Sequence, residues 1–391
     1  MSEELSKSDL DALVALRRDL HAHPETGFQE KRTAAVLAGL LRGRGIEVHA
    51  GIGGTGLVGI IEGEKGPGPS IGLRADMDAL PIEEASDFPW RSTVPGCFHG
   101  CGHDGHMAML MAAAWLLRQK PDFAGRVVLI FQPAEEGLGG ARAMLADGLF
   151  ERFPCDEVYA LHNAPDRPFG TVALRSGPVS ASADFFDIAI RGKGGHAAFP
   201  YRAVDSGLVA VTLAQALHTI VGQNVDPNEA AVVAVTAVNA GSTYNVIPDT
   251  ATVSGTIRTF SPVVRREIAA HVETLAKGMA AAYGAEADVA IRDVFSTLVN
   301  RPVQAAALAD AARAVVGDAN VDTDAAPVTT SEDFADMLMA VPGAYCFLGQ
   351  GTGAALHNPH YAFNDDILPT GAALLARIAR DRLRTQGSGR T

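Results

Sequence analysis

Several features of common protein classes are missing from this 391-residue sequence. Lysine and arginine (32) are outnumbered by aspartate and glutamate (45), and the resulting net charge of −13 disfavours a nucleic-acid partner, which requires a basic face. Four cysteines are too few for a disulfide framework in so long a chain. The longest strongly apolar helical stretch, 107–117, is shorter than the roughly 18 residues of a membrane span, and the acidic start MSEELSKSDL is unlike a secretory signal. We therefore expect no membrane partner and a cytoplasmic location.

The order of elements predicts two domains. A hydrophobic fraction of 47% and a charged fraction of 20% are typical of globular proteins. Strands alternate with helices up to about residue 180, which indicates an α/β domain, and the order β-α-β-β-α-β that follows is that of the ferredoxin-like unit. We expect a mixed sheet flanked by helices, interrupted by an inserted ferredoxin-like α+β domain. The predicted bounds are 1–182 and 294–391 for the α/β domain and 183–293 for the inserted domain.

Two helices and their N-caps are also predicted in the N-terminal half of the chain. Apolar residues recur at helical spacing over 8–41, with Ser8 as the N-cap. A second helix is expected over 105–120, with Asp104 as its cap.

The sequence GCFHGCGHDGHM concentrates groups that bind metals. It contains these candidates: Cys97, His99, Cys101, His103, Asp104 and His106. Cys101 and His103 are two positions apart and can reach one ion from an extended loop, which in a reducing compartment suggests metal ligation. A closed zinc site of two cysteines and two histidines from this stretch is one alternative, and a loop that is polar by chance is another.

Further candidates follow predicted strands. Glu135 and Glu136 come directly after one strand, so that one carboxylate can bind metal while the other carries protons. His162 ends another strand, and His357 and His360 lie in a loop without periodicity. Taken singly, the glutamates fit an exposed acidic turn and His162 fits a packed core histidine. Because sites in α/β sheets gather at the carboxyl ends of strands, the shared placement favours one common site.

Nucleotide binding is disfavoured. Gly51, Gly53 and Gly56 match G-x-G-x-x-G, but a strand follows them instead of the helix that the dinucleotide fingerprint requires. We read this segment as a glycine-rich hairpin turn. The sequence contains no P-loop, no H-E-x-x-H, no zinc-deaminase signature and no G-x-S-x-G.

The inserted domain has three polar residues of interest. His196 lies in GKGGHAAFP, Asn245 in GSTYNVIPD, and Arg258 near the end of a strand. Each could be purely structural. The glycines before His196 would allow the backbone to approach a ligand closely.

A set of ordered segments resembles the M20 family of metallopeptidases. The segments are RADMDALP, CGHDGHMAML, QPAEEG, LHN, GKGGHAAFP, NVIPD, SEDFA and LHNPHYAFNDD. They are most similar to the amidohydrolase branch, which contains hippurate hydrolase, N-acyl-amino-acid amidohydrolases and auxin-conjugate hydrolases. The resemblance extends from LHAHPETGFQE to the last helix.

This resemblance implies a catalytic α/β domain with two metal ions and an inserted lid domain that also mediates dimerisation, in a homodimer or a dimer of dimers. The metal ligands that it implies are Cys101, His103, Glu136, His162 and His357. Glu135 would be the general base, and Asp76 would support a metal ligand through a hydrogen bond. His196 would stabilise the oxyanion, and Asn245 and Arg258 would hold the substrate carboxylate.

One departure concerns the metals. Peptidase branches of the family have a His-x-Asp where this chain has Arg74-Ala75-Asp76, and an aspartate bridges their metals, whereas here Cys101 is the bridging candidate. A thiolate favours softer metals, and Mn, Zn, Ni and Co all suit such ligands.

The predicted activity is hydrolysis of N-acyl amino acids of the N-acetyl or N-benzoyl type, with Glu135 taking a proton from water and passing it to the leaving amine. Two alternatives remain: a dipeptidase or carboxypeptidase of the same family, and a metal-binding or ligand-binding protein without catalysis.

Overall fold

The computed structural model describes residues 5–384. The chain divides into two compact units. Within the described residues, the outer unit comprises 5–179, 299–327 and 333–384, and the inserted unit comprises 180–298 and 328–332. The sequence predicted the changes of domain at 182/183 and 293/294, and it gave no sign of the short segment 328–332.

The outer unit contains most of the helices and strands. Those of its first segment are, in chain order, α1 (Lys7–Ala22), α2 (Lys31–Gly43), β1 (Glu47–Ile52), β2 (Gly56–Glu62), β3 (Ser70–Asp76), α3 (His103–Gln119), β4 (Arg126–Gln132), α4 (Gly140–Ala146), α5 (Leu149–Arg152), β5 (Glu157–Ala164), β6 (Val172–Ala173) and β7 (Gly177–Ser180), which ends just inside the inserted unit.

The inserted unit follows. Its elements are β8 (Ser182–Arg191), β9 (Gly195–His196), α6 (Ser206–Leu217), α7 (Thr219–Asn224), β10 (Ala231–Ala240), β11 (Val246–Ile247), β12 (Thr250–Thr259), α8 (Pro262–Ala282) and β13 (Glu286–Phe295). After β14 (Leu298–Asn300), the chain continues with α9 (Pro302–Val316), β15 (Val321–Asp322), α10 (Phe334–Ala340), β16 (Gly343–Gly349) and α11 (Leu368–Arg384).

The sheet of the outer unit has eight strands in the order β1-β2-β4-β3-β5-β16-β6-β15. Its centre is parallel, because β3 pairs in parallel with β4 and β5, and β5 with β16. Its margin is antiparallel where β2 pairs with β1 and β4. The sheet is therefore mixed, as predicted, and Gly51–Gly56 form the predicted hairpin. The central strands are buried on both faces, which explains their continuous apolar sequences.

Helix α3 is the central helix of the outer unit. All its residues from 103 to 117 are buried, and a helix that is apolar all round is typical of a core position. The predicted start was wrong: Gly102, not Asp104, is the N-cap. Gly102 has a φ of +87°, and a Cβ there would lie 2.5 Å from Asn163 Oδ1. Asp104 instead accepts hydrogen bonds from His21 and Arg17 within the core.

The first helical segment consists of two helices. Helix α1 begins after Ser6, whose hydroxyl accepts a hydrogen bond from the Asp9 N–H, so the predicted N-cap at Ser8 was wrong. It ends at Ala22 because the following residue, His23, precedes Pro24, and a residue before proline disfavours the helical conformation.

The sheet of the inserted unit has the strand order β10-β12-β8-β13, with every neighbouring pair antiparallel. Numbered along the unit, its strands run 2-3-1-4 across the sheet, with α6 and α8 supplying the helices between them. This is the predicted ferredoxin-like arrangement. Apolar residues of the helices and strands form a core of their own, which includes Phe186, Leu213 and Ile268.

Across residues 5–384, no helix combines the length and the apolar character needed to cross a membrane.

Candidate metal centre

The predicted ligands meet at one edge of the outer sheet. Strands β3, β4, β5 and β16 run in parallel, so their carboxyl ends lie on the same side. Asp76 ends β3, Glu135 and Glu136 follow β4, His162 lies near the end of β5, and His357 is in the loop after β16.

Two groups of donor atoms share the Cys101 sulfur. In one group, Cys101, His103 and His162 place their ligand atoms within 4.8 Å of one another, and Cys101, Glu136 and His357 do the same in the other. His103 also forms such a group with Glu135 and Glu136. All five predicted ligands thus lie in two overlapping sets of three donors that share the Cys101 sulfur, and each set is close enough together to hold a metal ion.

Hydrogen bonds orient the two buried imidazoles. His103 Nδ1 lies 2.9 Å from the Asp78 carbonyl oxygen, and His162 Nδ1 lies 2.7 Å from the Asn163 carbonyl oxygen. Because a carbonyl only accepts, each Nδ1 carries a proton, and Nε2 is the ring nitrogen left to face a metal. His103 Nε2 is buried with no hydrogen-bond partner, and His162 Nε2 lies 3.4 Å from Cys101 Sγ. A backbone carbonyl behind each ring is the usual support of a metal-bound histidine.

The electrostatics of the site favour a bound cation. Burial and the carboxylates of Glu136 and Glu135 raise the pKa of the Cys101 thiol well above its ordinary value. Burial acts against the charge of His103, but Asp76 and Asp78 outweigh it and raise the pKa of His103 to about 10. A divalent cation would supply the positive charge that the carboxylates stabilise and would allow Cys101 to ionise.

Glu136 and His357 complete the donor set from the solvent side. Glu136 Oε1 has no hydrogen-bond partner although it is buried, and it lies 3.2 Å from His357 Nε2. The His357 backbone has a left-handed φ of +64°, and its N–H donates to the Gly100 carbonyl at 2.8 Å. The unpartnered atoms of His103 and Glu136, together with sulfur, nitrogen and oxygen donors, fit a divalent metal of intermediate softness.

Glu135 is more deeply buried than its neighbour. Its Oε1 accepts a long hydrogen bond, 3.4 Å, from the Asp333 N–H. Asp333 belongs to the SEDFA segment, and its carboxylate accepts hydrogen bonds from Gln132 at 2.6 Å and Arg74 at 3.3 Å. A buried polar network therefore lies behind the Glu135 side chain.

Asp76 contacts a different histidine from the predicted ligands. Its Oδ1 lies 2.7 Å from His106 Nδ1, and its Oδ2 accepts a hydrogen bond from Arg74. The distance from Oδ2 to His103 Nε2 is 3.7 Å. Burial disfavours ionisation of this carboxyl, but His103, Arg74 and His106 together hold its pKa well below the ordinary value. The structure thus places a carboxylate beneath the site, bonded to His106.

A layer of polar side chains lies below the ligands, and only His106 of this layer was among the sequence candidates. His106 Nε2 lies 2.7 Å from Asn163 Oδ1, and the Asn163 amide group donates to the Tyr361 hydroxyl at 2.7 Å and to Gln350 Oε1 at 3.0 Å. His106 and Asn163 lie within segments that the sequence singles out. Tyr361 and Gln350 lie in the long loop after β16, where no local pattern marks them.

Four earlier candidates do not join the donor groups. Cys97, His99, Asp104 and His360 belong to none of the possible metal groups found over residues 5–384. Both ring nitrogens of His99 are buried without hydrogen-bond partners. Cys97 is buried, and burial raises the pKa of its thiol to about 11. A closed site of two cysteines and two histidines from this stretch is therefore not formed.

The remaining predicted residues lie in the inserted unit. His196 is exposed on β9, opposite Val246 of β11, and the N–H of the next residue donates to the Asn245 carbonyl at 3.0 Å. His196 and Asn245 are thus neighbours. Arg258 lies on β12, and its guanidinium donates to the Ser331 hydroxyl at 2.6 Å.

Comparisons with known proteins identify the family of this chain. Residues 72–381 match the sequence profile described as Peptidase family M20/M25/M40. Hippurate hydrolase of Campylobacter jejuni is 38% identical over 364 residues, which cover 93% of this chain and 94% of that protein. N-acetyl-L-cysteine deacetylase of Bacillus subtilis is 38% identical over 370 residues, with coverages of 94% and 87%. Thermostable carboxypeptidase 1 of Saccharolobus solfataricus is 36% identical over 379 residues, with coverages of 94% and 95%.

A solved structure shows the same fold. The YxeP protein of Bacillus subtilis, described as a dinuclear metal binding peptidase from the M20 family, superimposes with a TM-score of 0.84 at 34% identity, covering 97% of this chain and 100% of that one. The predicted α/β fold class is confirmed. The chain belongs to peptidase family M20/M25/M40, and its relatives place it in the amidohydrolase branch.

Proposed function

We propose that this hydrolase is a metal-dependent amidohydrolase that cleaves N-acyl amino acids into a carboxylate and an amino acid. The observation that carries the proposal is the adjacent pair Glu135 and Glu136, placed beside the sulfur and imidazole donors. Pure metal binding would not need a second buried carboxylate there. Hippurate hydrolase and N-acetyl-L-cysteine deacetylase, both 38% identical to this chain, are named for N-acyl amino acids.

Two divalent cations are the proposed cofactors, held by Cys101, His103, Glu136, His162 and His357. The dinuclear relative from Bacillus subtilis supports this number. We propose Mn, Zn, Ni or Co, which all accept the sulfur, nitrogen and oxygen donors present. When bound, such cations polarise an amide carbonyl and lower the pKa of water towards about 7.

Glu135 is the proposed general base. Its backbone N–H is anchored at 3.0 Å to the Asp78 carboxylate, and its Oε1 accepts the Asp333 N–H, so both ends of the residue are restrained. The Glu135 carboxylate takes the proton of the attacking water and then delivers it to the leaving amine. Asp76 holds His106 below the ligands and keeps a negative charge within 3.7 Å of His103.

Three residues of the inserted unit complete the proposed mechanism. His196 donates a hydrogen bond to the developing oxyanion in the active site of the other subunit of the dimer. Asn245 and Arg258 bind the substrate carboxylate, for which an amide and a guanidinium are suitable donors.

A homodimer or a dimer of dimers in the cytoplasm is the proposed assembly and location. Strand β10 lies at one edge of the sheet of the inserted unit and carries the exposed Val232 and Val238. Helix α6, which packs against β10, exposes Leu208 and Val211. Exposed apolar side chains on an edge strand and on the helix packed against it support association with a second copy. Light scattering after gel filtration would give the mass; a monomer would contradict this part of the proposal.

A carboxypeptidase or dipeptidase is the second candidate, because thermostable carboxypeptidase 1 is 36% identical over nearly the full length. One experiment separates the candidates. Metal content is measured, and hydrolysis of N-acetyl and N-benzoyl amino acids is compared with hydrolysis of dipeptides, before and after chelation. Chelator-sensitive release of amino acids from the acylated substrates supports the proposal. Preference for dipeptides supports the peptidase, and binding of metal without hydrolysis of either class contradicts both.

A further inference from the structure

Asp78 makes contacts that its position in the chain does not suggest. It lies two residues beyond the end of β3 and is 1% exposed. Its Oδ1 accepts a hydrogen bond from the Glu135 N–H and its Oδ2 accepts one from the Glu136 N–H, each at 3.0 Å. One buried carboxylate therefore binds two consecutive backbone amides at the start of the loop after β4.

The backbone before Glu135 explains how two consecutive N–H groups can point at one anion. Ala134 has a φ of +53°, in the left-handed region that an alanine rarely adopts. Successive amides next to a left-handed residue form a concave turn that binds anions. The Ala134 N–H donates to Glu30 Oε1 at 2.9 Å, so buried carboxylates accept three successive amides, 134 to 136.

The main chain of Asp78 contacts a third group, the imidazole ring of His103. Its carbonyl oxygen accepts the His103 Nδ1 proton at 2.9 Å, which aims Nε2 away from Asp78. Asp78 thus contacts both the loop that carries Glu135 and Glu136 and the first residue of α3. Glu135 follows His103 by 32 residues in the chain, and Asp78 connects the two segments directly.

We propose that Asp78 is a positioning residue of the candidate metal centre. It holds the backbone turn from which the Glu135 and Glu136 side chains diverge, and at the same time it fixes the tautomer of His103. The roles of Glu135 and Glu136 rest on the proposed function, whereas the effect of Asp78 on the turn does not. A carboxylate is required because two N–H donors converge on it; an asparagine would accept one of them and present its own N–H to the other.

The experiment compares the wild type with Asp78→Asn and with a matched control, Asp156→Asn. Asp156 is suitable because its carboxylate also accepts a backbone N–H, that of Ser70, but at the opposite end of β3. Three quantities are measured: hydrogen exchange of the peptide covering 133–138 in metal-free protein, the Kd for Co²⁺ added to that protein, and kcat and KM for an N-acyl amino acid.

For Asp78→Asn we expect amide exchange in 133–138 to accelerate by about tenfold or more because the turn opens. The Kd for Co²⁺ rises by about 10–100-fold, as is typical when the support of a metal ligand is lost. A misplaced base lowers kcat by about 100-fold, with little change in KM. Asp156→Asn leaves all three quantities at the wild-type values.

Unchanged exchange and an unchanged Kd for Co²⁺ in a folded Asp78→Asn protein would overturn the proposal. If this variant does not fold, the measurements are made on Asp78→Asn/Ala134→Gly, in which glycine removes the cost of the left-handed residue. Rapid exchange of the 135 and 136 amides in the metal-free wild type would also overturn the proposal. Absence of hydrolysis by the wild type would contradict the proposed function alone, since exchange and Co²⁺ binding remain measurable.

Discussion

Glu135 and Glu136 are adjacent in the chain, but their carboxylates have different surroundings. Glu136 Oε1 lies 3.2 Å from His357 Nε2 among the donor atoms, whereas Glu135 Oε1 accepts the Asp333 N–H. Successive side chains at the end of a strand point in different directions, so one sequence pair can serve two purposes. This division can be tested by changing each glutamate in turn.

In the first prediction, Glu135→Gln lowers kcat by about 10²–10⁴-fold, because glutamine cannot accept the proton of water. Metal content, measured by elemental analysis of the purified protein, stays at the wild-type level. The matched variant Glu136→Gln should instead lose metal, because its carboxylate is a proposed ligand. Near-normal turnover of metal-loaded Glu135→Gln would show that the base is another residue.

The second prediction concerns His196. Replacing it with alanine removes the proposed donor to the oxyanion, and the loss of one such donor typically lowers kcat by about 10²–10³-fold. The metal content should not change. The test is the kcat of His196→Ala from steady-state kinetics, with His360→Ala as a control because His360 has no role in the proposed mechanism. An equal, small effect of both substitutions would remove His196 from the mechanism.

At the scale of elements, the start of α3 determines where His103 lies. Gly102 has a left-handed φ of +87°, and any side chain there would meet Asn163 Oδ1 and the Tyr361 hydroxyl within 2.7 Å. The sequence pattern predicted a later start because Asp104 is a good capping residue. Tertiary contacts decided otherwise, since Asp104 is bonded to His21 and Arg17 of α1.

The third prediction is that Gly102→Ala destabilises the protein by about 1–2 kcal/mol from backbone strain alone, with a further loss from the steric clash. It should also weaken metal binding, because His103 moves with the helix terminus. Gly278→Ala is the control: this glycine lies within α8 with open space around its Cβ position, and alanine should stabilise the helix by up to about 1 kcal/mol. Urea unfolding measures both, and equal effects would contradict the assigned strain.

The contact between α1 and α3 is sensitive to pH through His21. Its ring nitrogens lie 2.8 Å from Asp104 Oδ2 and 3.2 Å from Glu84 Oε1. Burial lowers the pKa of His21, but hydrogen bonds to Asp104 and Glu84 outweigh it and raise the pKa to about 9. The charged form therefore bridges two carboxylates in the folded protein.

The fourth prediction is that this bridge contributes stability that is fully present below about pH 6.5, the pKa of an unfolded histidine, and is lost as the pH rises through 9. His21→Gln should lower the free energy of unfolding by roughly 3 kcal/mol at pH 6 and by much less at pH 9.5. Urea unfolding of both proteins at each pH gives the difference, with the partly exposed His49→Gln as control. A difference that does not change with pH would refute the charged bridge.

At the scale of the whole molecule, the outer unit is assembled from segments far apart in sequence. The proposed donor atoms come from the loop before α3, the start of α3, the loop after β4, strand β5 and the loop after β16, and folding must bring all of them to one edge of the sheet. Ligands that converge only in the folded state couple metal binding to folding.

The fifth prediction is that metal removal lowers the thermal stability of the protein. A cation that binds only the folded chain adds about 4 kcal/mol to the free energy of unfolding at a thousandfold excess over its Kd. Calorimetric scans of metal-loaded and chelated protein should show a lower Tm after chelation, restored by added Co²⁺. A Tm that is insensitive to chelation would mean that the five donors do not hold a structural or catalytic cation.

The sequence by itself indicated the family through its ordered motifs. It also indicated the α/β class and the β-α-β-β-α-β succession of the inserted unit, because hydrophobic periodicity is a local property that marks helices and strands along the chain. The motifs also contain the five groups that converge in the structure: four of them lie beside a strand end or a helix start, and the fifth, His357, lies in the loop after β16. Local patterns did not reveal the contacts of Tyr361 and Gln350, or the hydrogen bonds that Asp78 accepts from two consecutive backbone amides. Their partners lie between 25 and 198 residues away in the chain, and only the tertiary structure brings such groups within hydrogen-bonding distance.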